Sequence, residues 1–128
     1  AQIALSKGFL PDLGEQAMLG WLGEHGGLNG VTAIFCAADN LALGVMNALE
    51  RAGIKMPGEV SIVGFDGVAL GEFTNPPLTT VAVPLQHMGV AALNLLEQRI
   101  VNVTLSPPAH RLELGCRLII RKSVRSLV

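Results

Sequence analysis

A strand, a helix and a second strand that ends on an acid follow one another in residues 31–66, and this order constrains the fold most. The apolar run at residues 32–37 is too short for an ordinary helix and predicts a strand buried on both faces, as in parallel sheets. Residues 39–52 are rich in Ala, Leu, Met and Glu and stop at Gly53, which predicts a helix. A second buried strand is predicted at residues 60–65. This unit indicates an α/β fold with a parallel sheet.

The rest of the chain supplies further helices and shorter strands. Apolar periodicity and stop signals predict helices at residues 11–25 and at about 85–101, and the second carries an apolar stripe. Strand-like runs occupy residues 78–83, 111–116 and 118–121. A doubly wound sheet needs more strands than these, so the chain is expected to be part of a larger fold.

Composition excludes several classes of function. The 128 residues are 50% hydrophobic and 15% charged, enough for one well-buried domain. The nine Lys and Arg are scattered and the net charge is -1, so this stretch has no basic stripe for DNA. No signal-peptide pattern and no apolar run of ~20 residues is present, which predicts a cytoplasmic protein without a membrane partner. A mature secreted protein would look the same after cleavage.

Catalytic, cofactor and metal sites find no support in the residue pattern. Cys36 and Cys116 lie far apart in apolar runs, which predicts two buried reduced thiols rather than a zinc or redox site. His25, His87 and His110 have neither metal-ligand spacing nor a nucleophile beside them. We therefore predict no catalytic residue, no metal and no cofactor.

Five strings in register resemble the effector-binding domain of lactose and galactose repressor (LacI/GalR) regulators. They are TAIFCAAD, LALGVMNALERAGIKMPGEVSIVGFD, PPLTTV, MGVAAL and LIIRKSV. The resemblance implies a periplasmic-binding-protein-like (type I) doubly wound parallel sheet with two lobes hinged around a small effector. It assigns residues 1–78 and 107–128 to the C-terminal lobe and residues 79–106 to a segment that crosses to the N-terminal lobe. The DNA-binding headpiece would precede Ala1, and without the N-terminal lobe the apolar stripe of the last helix would be exposed.

The same resemblance implies a function. The chain would be the effector-sensing and dimerisation portion of a repressor whose headpiece binds operator DNA, with a sugar, sugar phosphate or nucleobase as effector. No catalysis is implied. The alternative is a solute-binding receptor for sugar transport, which shares the fold and the hinge.

Three side chains are candidates for the effector site. Asp66 ends a buried strand, where a carboxylate can accept hydrogen bonds from sugar hydroxyls or from a ring amide, and the family places an effector-binding acid there. Phe9 resembles an effector-stacking aromatic of the family, although a core position is an equal alternative. Asp39 also lies at a strand end, but a structural role as helix cap is preferred.

The helix at residues 39–52 is apolar on more than one side. This pattern is typical either of a subunit contact or of a helix covered on both sides within one fold, and the sequence does not choose between them. In the family, this helix and the loop after Asp66 contribute to a dimer interface. The residues predicted for a homodimer interface on this basis are Leu41, Val45, Ala48, Ala52 and Leu70.

Overall fold

The computed structural model describes residue 4, residues 6–101 and residues 111–126. In chain order its elements are α1 (Pro11–His25), β1 (Ala33–Phe35), α2 (Asp39–Arg51), β2 (Ser61–Asp66), a 3-10 turn (Ala69–Glu72), β3 (Thr79–Ala82), α3 (Leu85–Val101) and β4 (Arg117–Ile119).

The three predicted helices are confirmed. Their start and stop signals lie within or beside each helix in the sequence. α1 has Pro at its first position and ends at Gly26, whose φ of 67° is the left-handed conformation of a helix end. α2 begins at Asp39 as predicted and ends before Ala52 and Gly53. α3 has the predicted bounds.

The strands differ more from prediction. β1 covers only the middle of the predicted run, and Phe35 on its outer face is 64% exposed, so burial on both faces is wrong for the described chain. Residues 111–116 form no strand, and the only pairing in that region is β4. A strand needs a neighbour to bond with, which a short sequence window does not reveal.

The four strands form one sheet in the order β1-β2-β3-β4. β1 and β2 pair in parallel, as do β2 and β3, and Asp66 stands opposite Ala82 at the end of its ladder. The ends of three chain segments therefore meet at one edge, where parallel sheets bind their ligands.

α2 packs on α1 and on β2, and its side chains form much of the core. The helices can approach closely because Gly44 has no side chain. A Cβ at this position would overlap the carbonyl oxygen of Pro11. At the rim of this contact, Asn47 donates a 2.8 Å hydrogen bond to Glu15, and Arg51 also pairs with Glu15. The Asn47 bond, followed by the Arg51 bond, holds the pKa of Glu15 below its ordinary value.

This packing corrects part of the predicted dimer interface. Leu41, Val45 and Ala48 are buried within the single chain, since α1 covers one side of α2 and the sheet covers the other. The alternative of a helix covered on both sides within one fold therefore accounts for these three. Ala52 and Leu70 are exposed, and their part in an interface stays a prediction.

The C-terminal segment is fastened to the sheet by Ser123. Its buried hydroxyl donates to the carbonyl of Ile62 (2.6 Å) and accepts from the Thr79 N–H (2.8 Å), while the Ile62 N–H donates to the Ser123 carbonyl (2.8 Å). One residue thus bonds with both β2 and β3, which explains a role for the LIIRKSV string.

Contacts divide the chain into two compact units. The first, which we call the sheet unit, comprises Ala1–Ala82 and Leu118–Val128, and the second comprises Val83–Arg117. The predicted lobe boundaries, after residues 78 and 106, stay predictions, and the second lies outside the described residues. No described helix is long and apolar enough to cross a membrane.

Candidate functional site

Asp66 lies at the carboxyl edge of the sheet, as its sequence position predicts. It is the last residue of β2, its side chain is exposed, and its φ is 110°, a strained value for a residue with a side chain. Its carboxylate makes no hydrogen bond or ion pair with the described residues. An exposed, unpaired carboxylate at the end of a strand can accept hydrogen bonds from a polar ligand.

Asp39 is structural, but the predicted helix cap is wrong. The N-cap of α2 is Ala38, and no side chain caps this helix end. The fully buried Asp39 carboxylate instead accepts from the N–H of Gly67 (2.9 Å) and of Val68 (2.7 Å), and from the Thr80 hydroxyl (2.6 Å). The Asp39 carboxylate thus joins the turn after Asp66 to β3. Its three neutral donors satisfy the hydrogen-bonding capacity that burial would otherwise leave unmet.

Two glycines make room for this arrangement. A Cβ on Gly64 would overlap Asp39 Oδ1, so only glycine lets β2 pass beneath the carboxylate. Gly67 has a φ of 80°, and a Cβ there would lie 2.6 Å from the Cα of Ala82. The sequence signal that could have revealed the site is the GFDG string, in which a glycine stands on either side of the Phe–Asp pair.

Phe9 lies just before α1 in the sheet unit. Its ring is 65% exposed and lines a cavity of about 960 Å³ next to α1 and β1. Asp66 is not among the residues that line this cavity. The described structure therefore does not bring the two predicted effector contacts into one pocket.

An aromatic pair was missed at the sequence level. Phe35 on β1 and Phe65 on β2 meet edge to face, with ring centroids 6.5 Å apart and an interplanar angle of 72°. Phe65 directly precedes Asp66, so an apolar ring and an acid share the end of one strand. Neighbouring strands brought these rings together, and strand order is not visible in a single sequence.

The two cysteines differ in burial and reactivity. Burial, followed by the nearby charge of Asp39, raises the pKa of the Cys36 thiol to about 12, so this thiol is protonated at neutral pH. The predicted burial of Cys36 is confirmed, whereas Cys116 is exposed and that prediction is wrong. Among the described residues no three His, Cys, Asp or Glu side chains gather as a metal site.

Comparisons with known proteins agree with the resemblance. The family described as "Periplasmic binding protein-like domain" matches residues 10–124. The chain is 41% identical over 97 residues to the HTH-type transcriptional repressor PurR of Actinobacillus pleuropneumoniae serotype 3 (strain JL03), which is 75% of this chain. The match spans only 29% of that repressor's length.

Solved structures share the fold. A LacI family transcriptional regulator from Arthrobacter sp. FB24 in complex with lactose superposes with a TM-score of 0.77 at 30% identity, covering 91% of this chain and 42% of that one. The transcriptional regulator CelR–cellobiose complex gives 0.80 at 34% identity, with coverages of 90% and 34%. The predicted α/β, periplasmic-binding-protein-like fold class is confirmed. The chain belongs to the periplasmic binding protein-like domain family, as part of the effector-binding domain of a LacI/GalR transcriptional regulator.

Proposed function

We propose that the chain is the effector-sensing part of a cytoplasmic transcriptional repressor and performs no catalysis. A sugar or sugar derivative binds at the carboxyl edge of the sheet, with Asp66 accepting hydrogen bonds from its hydroxyls and Phe9 offering an apolar face. Binding changes the affinity of a separate headpiece for operator DNA, as a coupling free energy between two sites. The related PurR of Actinobacillus pleuropneumoniae is a repressor as a whole protein, and this chain matches 29% of its length.

One observation carries the proposal. The Asp66 carboxylate is exposed and unpaired within the described chain, at the sheet edge where α/β folds bind ligands. The lactose and cellobiose complexes of structural neighbours support a sugar as the ligand class. Asp66 does not line the cavity that contains Phe9, so the proposal depends on Asp66.

Ligand-induced stabilisation tests the proposal. The longest protein that the gene encodes is melted with ribose, lactose, cellobiose, glucose 6-phosphate or adenine, for the wild type and Asp66→Asn. A ligand at about a hundred times its Kd adds about 2.7 kcal/mol of stability and raises Tm. We expect one sugar to raise the Tm of the wild type and to have no effect on Asp66→Asn, which keeps the shape but loses the charged acceptor.

The matched control is Glu50→Gln, which removes a carboxylate charge from the exposed far end of α2. It should keep the full rise in Tm. A full rise in Asp66→Asn would remove Asp66 from the site. A rise with adenine alone would replace the sugar by a nucleobase, and no rise with any probe would contradict the proposed ligand class.

We also propose that the protein is a homodimer whose interface includes Ala52 and Leu70. Leu70 is 58% exposed on the turn after the Asp66 loop, an apolar residue available to a partner. Leu70→Glu should therefore shift the sedimentation coefficient from dimer to monomer at micromolar concentration. The control is Leu19→Glu on α1, which adds the same charge outside the proposed interface and should leave the sedimentation coefficient unchanged. Leu19 is 38% exposed. A wild-type monomer, or a Leu70→Glu dimer of undiminished stability, would contradict this interface.

A further inference from the structure

The turn that carries Asp66 has a backbone conformation that its surroundings must stabilise. Asp66 and Gly67 have consecutive positive φ values, 110° and 80°. A residue with a side chain adopts such a φ only when its surroundings determine it. The Asp66 side chain itself bonds with no described residue, whereas the backbone on either side is held: Asp66 pairs with Ala82 in the ladder, and the next two N–H groups are bonded.

Asp39 supplies that restraint from beneath the turn. Its Oδ2 accepts from two successive backbone N–H groups, those of Gly67 and Val68, and this pair of bonds fixes the peptide planes on the far side of Asp66. The Asp39 carboxylate is itself fixed in position, since Asp39 is fully buried and is the first residue of α2. The N-terminus of a helix also favours a negative charge at this place.

The second oxygen ties the turn to β3. Oδ1 accepts from the Thr80 hydroxyl, and Thr80 is fully buried two residues before Ala82, where the sheet unit ends and the chain passes into the second unit. Gly67 lies against Ala82 with no space for a Cβ. One carboxylate thus connects the turn of the proposed effector contact to the strand by which the chain leaves the sheet unit.

We infer that Asp39 is the positioning residue of the effector site: through Gly67, Val68 and Thr80 it sets the place of Asp66 relative to the end of β3. The inference rests on the proposed function for its link to effector binding. The position of the turn itself does not depend on that function. A role in overall stability alone would affect all parts of the sheet unit equally.

The substitutions can separate these roles. Asp39→Ala removes the acceptor for all three donors. Asp39→Asn is the conservative variant, because its amide oxygen can accept from Gly67 and Val68 while its NH2 donates to Thr80, whose hydroxyl rotates to accept. Thr80→Val keeps the side-chain shape and removes one donor, which provides a test should Asp39→Ala fail to fold.

Amide hydrogen exchange measures the protection of the Gly67 and Val68 N–H groups in the turn directly. It is recorded on the unliganded protein, in the longest form that the gene encodes. In Asp39→Ala the Gly67 and Val68 amides should exchange about tenfold faster or more, because bonds to a charged acceptor are lost. Thr80→Val should give about a fivefold rise, and Asp39→Asn should restore wild-type exchange within about threefold. The Ser61 and Ile62 amides, bonded to other segments, serve as internal references.

The outcomes divide clearly. Unchanged exchange at Gly67 and Val68 in Asp39→Ala and Thr80→Val, or an equal rise at Ser61, would overturn the inference. Titration with whichever probe sugar raises Tm should give about tenfold weaker affinity for Asp39→Ala and recovery in Asp39→Asn. If the turn loosens locally but no probe raises the Tm of the wild type, the proposed function fails while the positioning by Asp39 stands.

Discussion

α2 and α3 have similar apolar content but differ in what surrounds them. Of the 13 residues of α2, eight are buried, among them the acid Asp39. None of the 17 residues of α3 is buried within the described chain, although Leu96 and Ile100 belong to the kind of stripe that usually faces a core. Amphipathic periodicity forms a helix in both cases, but only packing gives it stability.

The two helices therefore contribute differently to the stability of the 128-residue chain. α2 has α1 on one side and the sheet on the other, so that its large side chains lose most of their contact with water. Each buried Leu of this kind contributes roughly 1.5–3 kcal/mol. α3 gains nothing comparable within its own unit, which predicts that the same substitution has different effects in the two helices.

The largest expected difference comes from shortening one leucine in each helix. Leu49 in α2 is fully buried and Leu93 in α3 is 56% exposed. Leu49→Ala should reduce the free energy of unfolding by about 2–5 kcal/mol, because it loses apolar burial and leaves a cavity. Leu93→Ala should change it by no more than about 0.5 kcal/mol. Urea unfolding of the 128-residue chain, followed by far-ultraviolet circular dichroism, measures both.

The same two variants also test whether α3 is exposed in solution. If Leu93→Ala costs as much as Leu49→Ala, another surface covers α3 in solution. Repeating the pair in the longest protein that the gene encodes then asks whether adjoining sequence covers α3. A cost that appears only in the longer protein would support the crossing segment that the family resemblance implies.

The elements themselves could be predicted from sequence because their determinants are local. Pro11, Gly26 and Gly53 mark helix ends through their own backbone preferences, and the periodicity between them needs no knowledge of the partner. The face that each helix buries was not predictable in this way. Leu41 and Val45 satisfied the pattern of a subunit contact equally well, and only the position of α1 shows that they belong to the core.

The candidate site follows the same division. Asp66 could be placed from the end of its strand, since ligand sites in parallel sheets follow the topology. The role of Asp39 could not, because its partners Gly67 and Thr80 lie 28 and 41 residues away along the chain. A local rule assigned it to the helix start beside it, whereas the buried carboxylate bonds with the donors that no other group reaches.

The smaller effect tests the contrast without changing a large side chain. Gly44 in α2 and Gly89 in α3 both become alanine, and the intrinsic gain in helix propensity is common to both. The new Cβ at residue 44 would overlap the Pro11 carbonyl and lie 2.6 Å from the Glu15 nitrogen, while at residue 89 nothing lies within 4 Å. Gly44→Ala should therefore destabilise the chain by about 1–3 kcal/mol. Gly89→Ala should stabilise it by about 0.5–1 kcal/mol.

Opposite signs in urea unfolding of the two variants would isolate the close approach of α1 and α2 as the cause, because propensity alone predicts the same sign for both. Two stabilising substitutions would mean that α1 can move away from α2 at little cost, and the core would then depend on the sheet face of α2. Two destabilising ones would mean that a surface contacts α3 at residue 89, so the exposed helix of this comparison would have a partner after all.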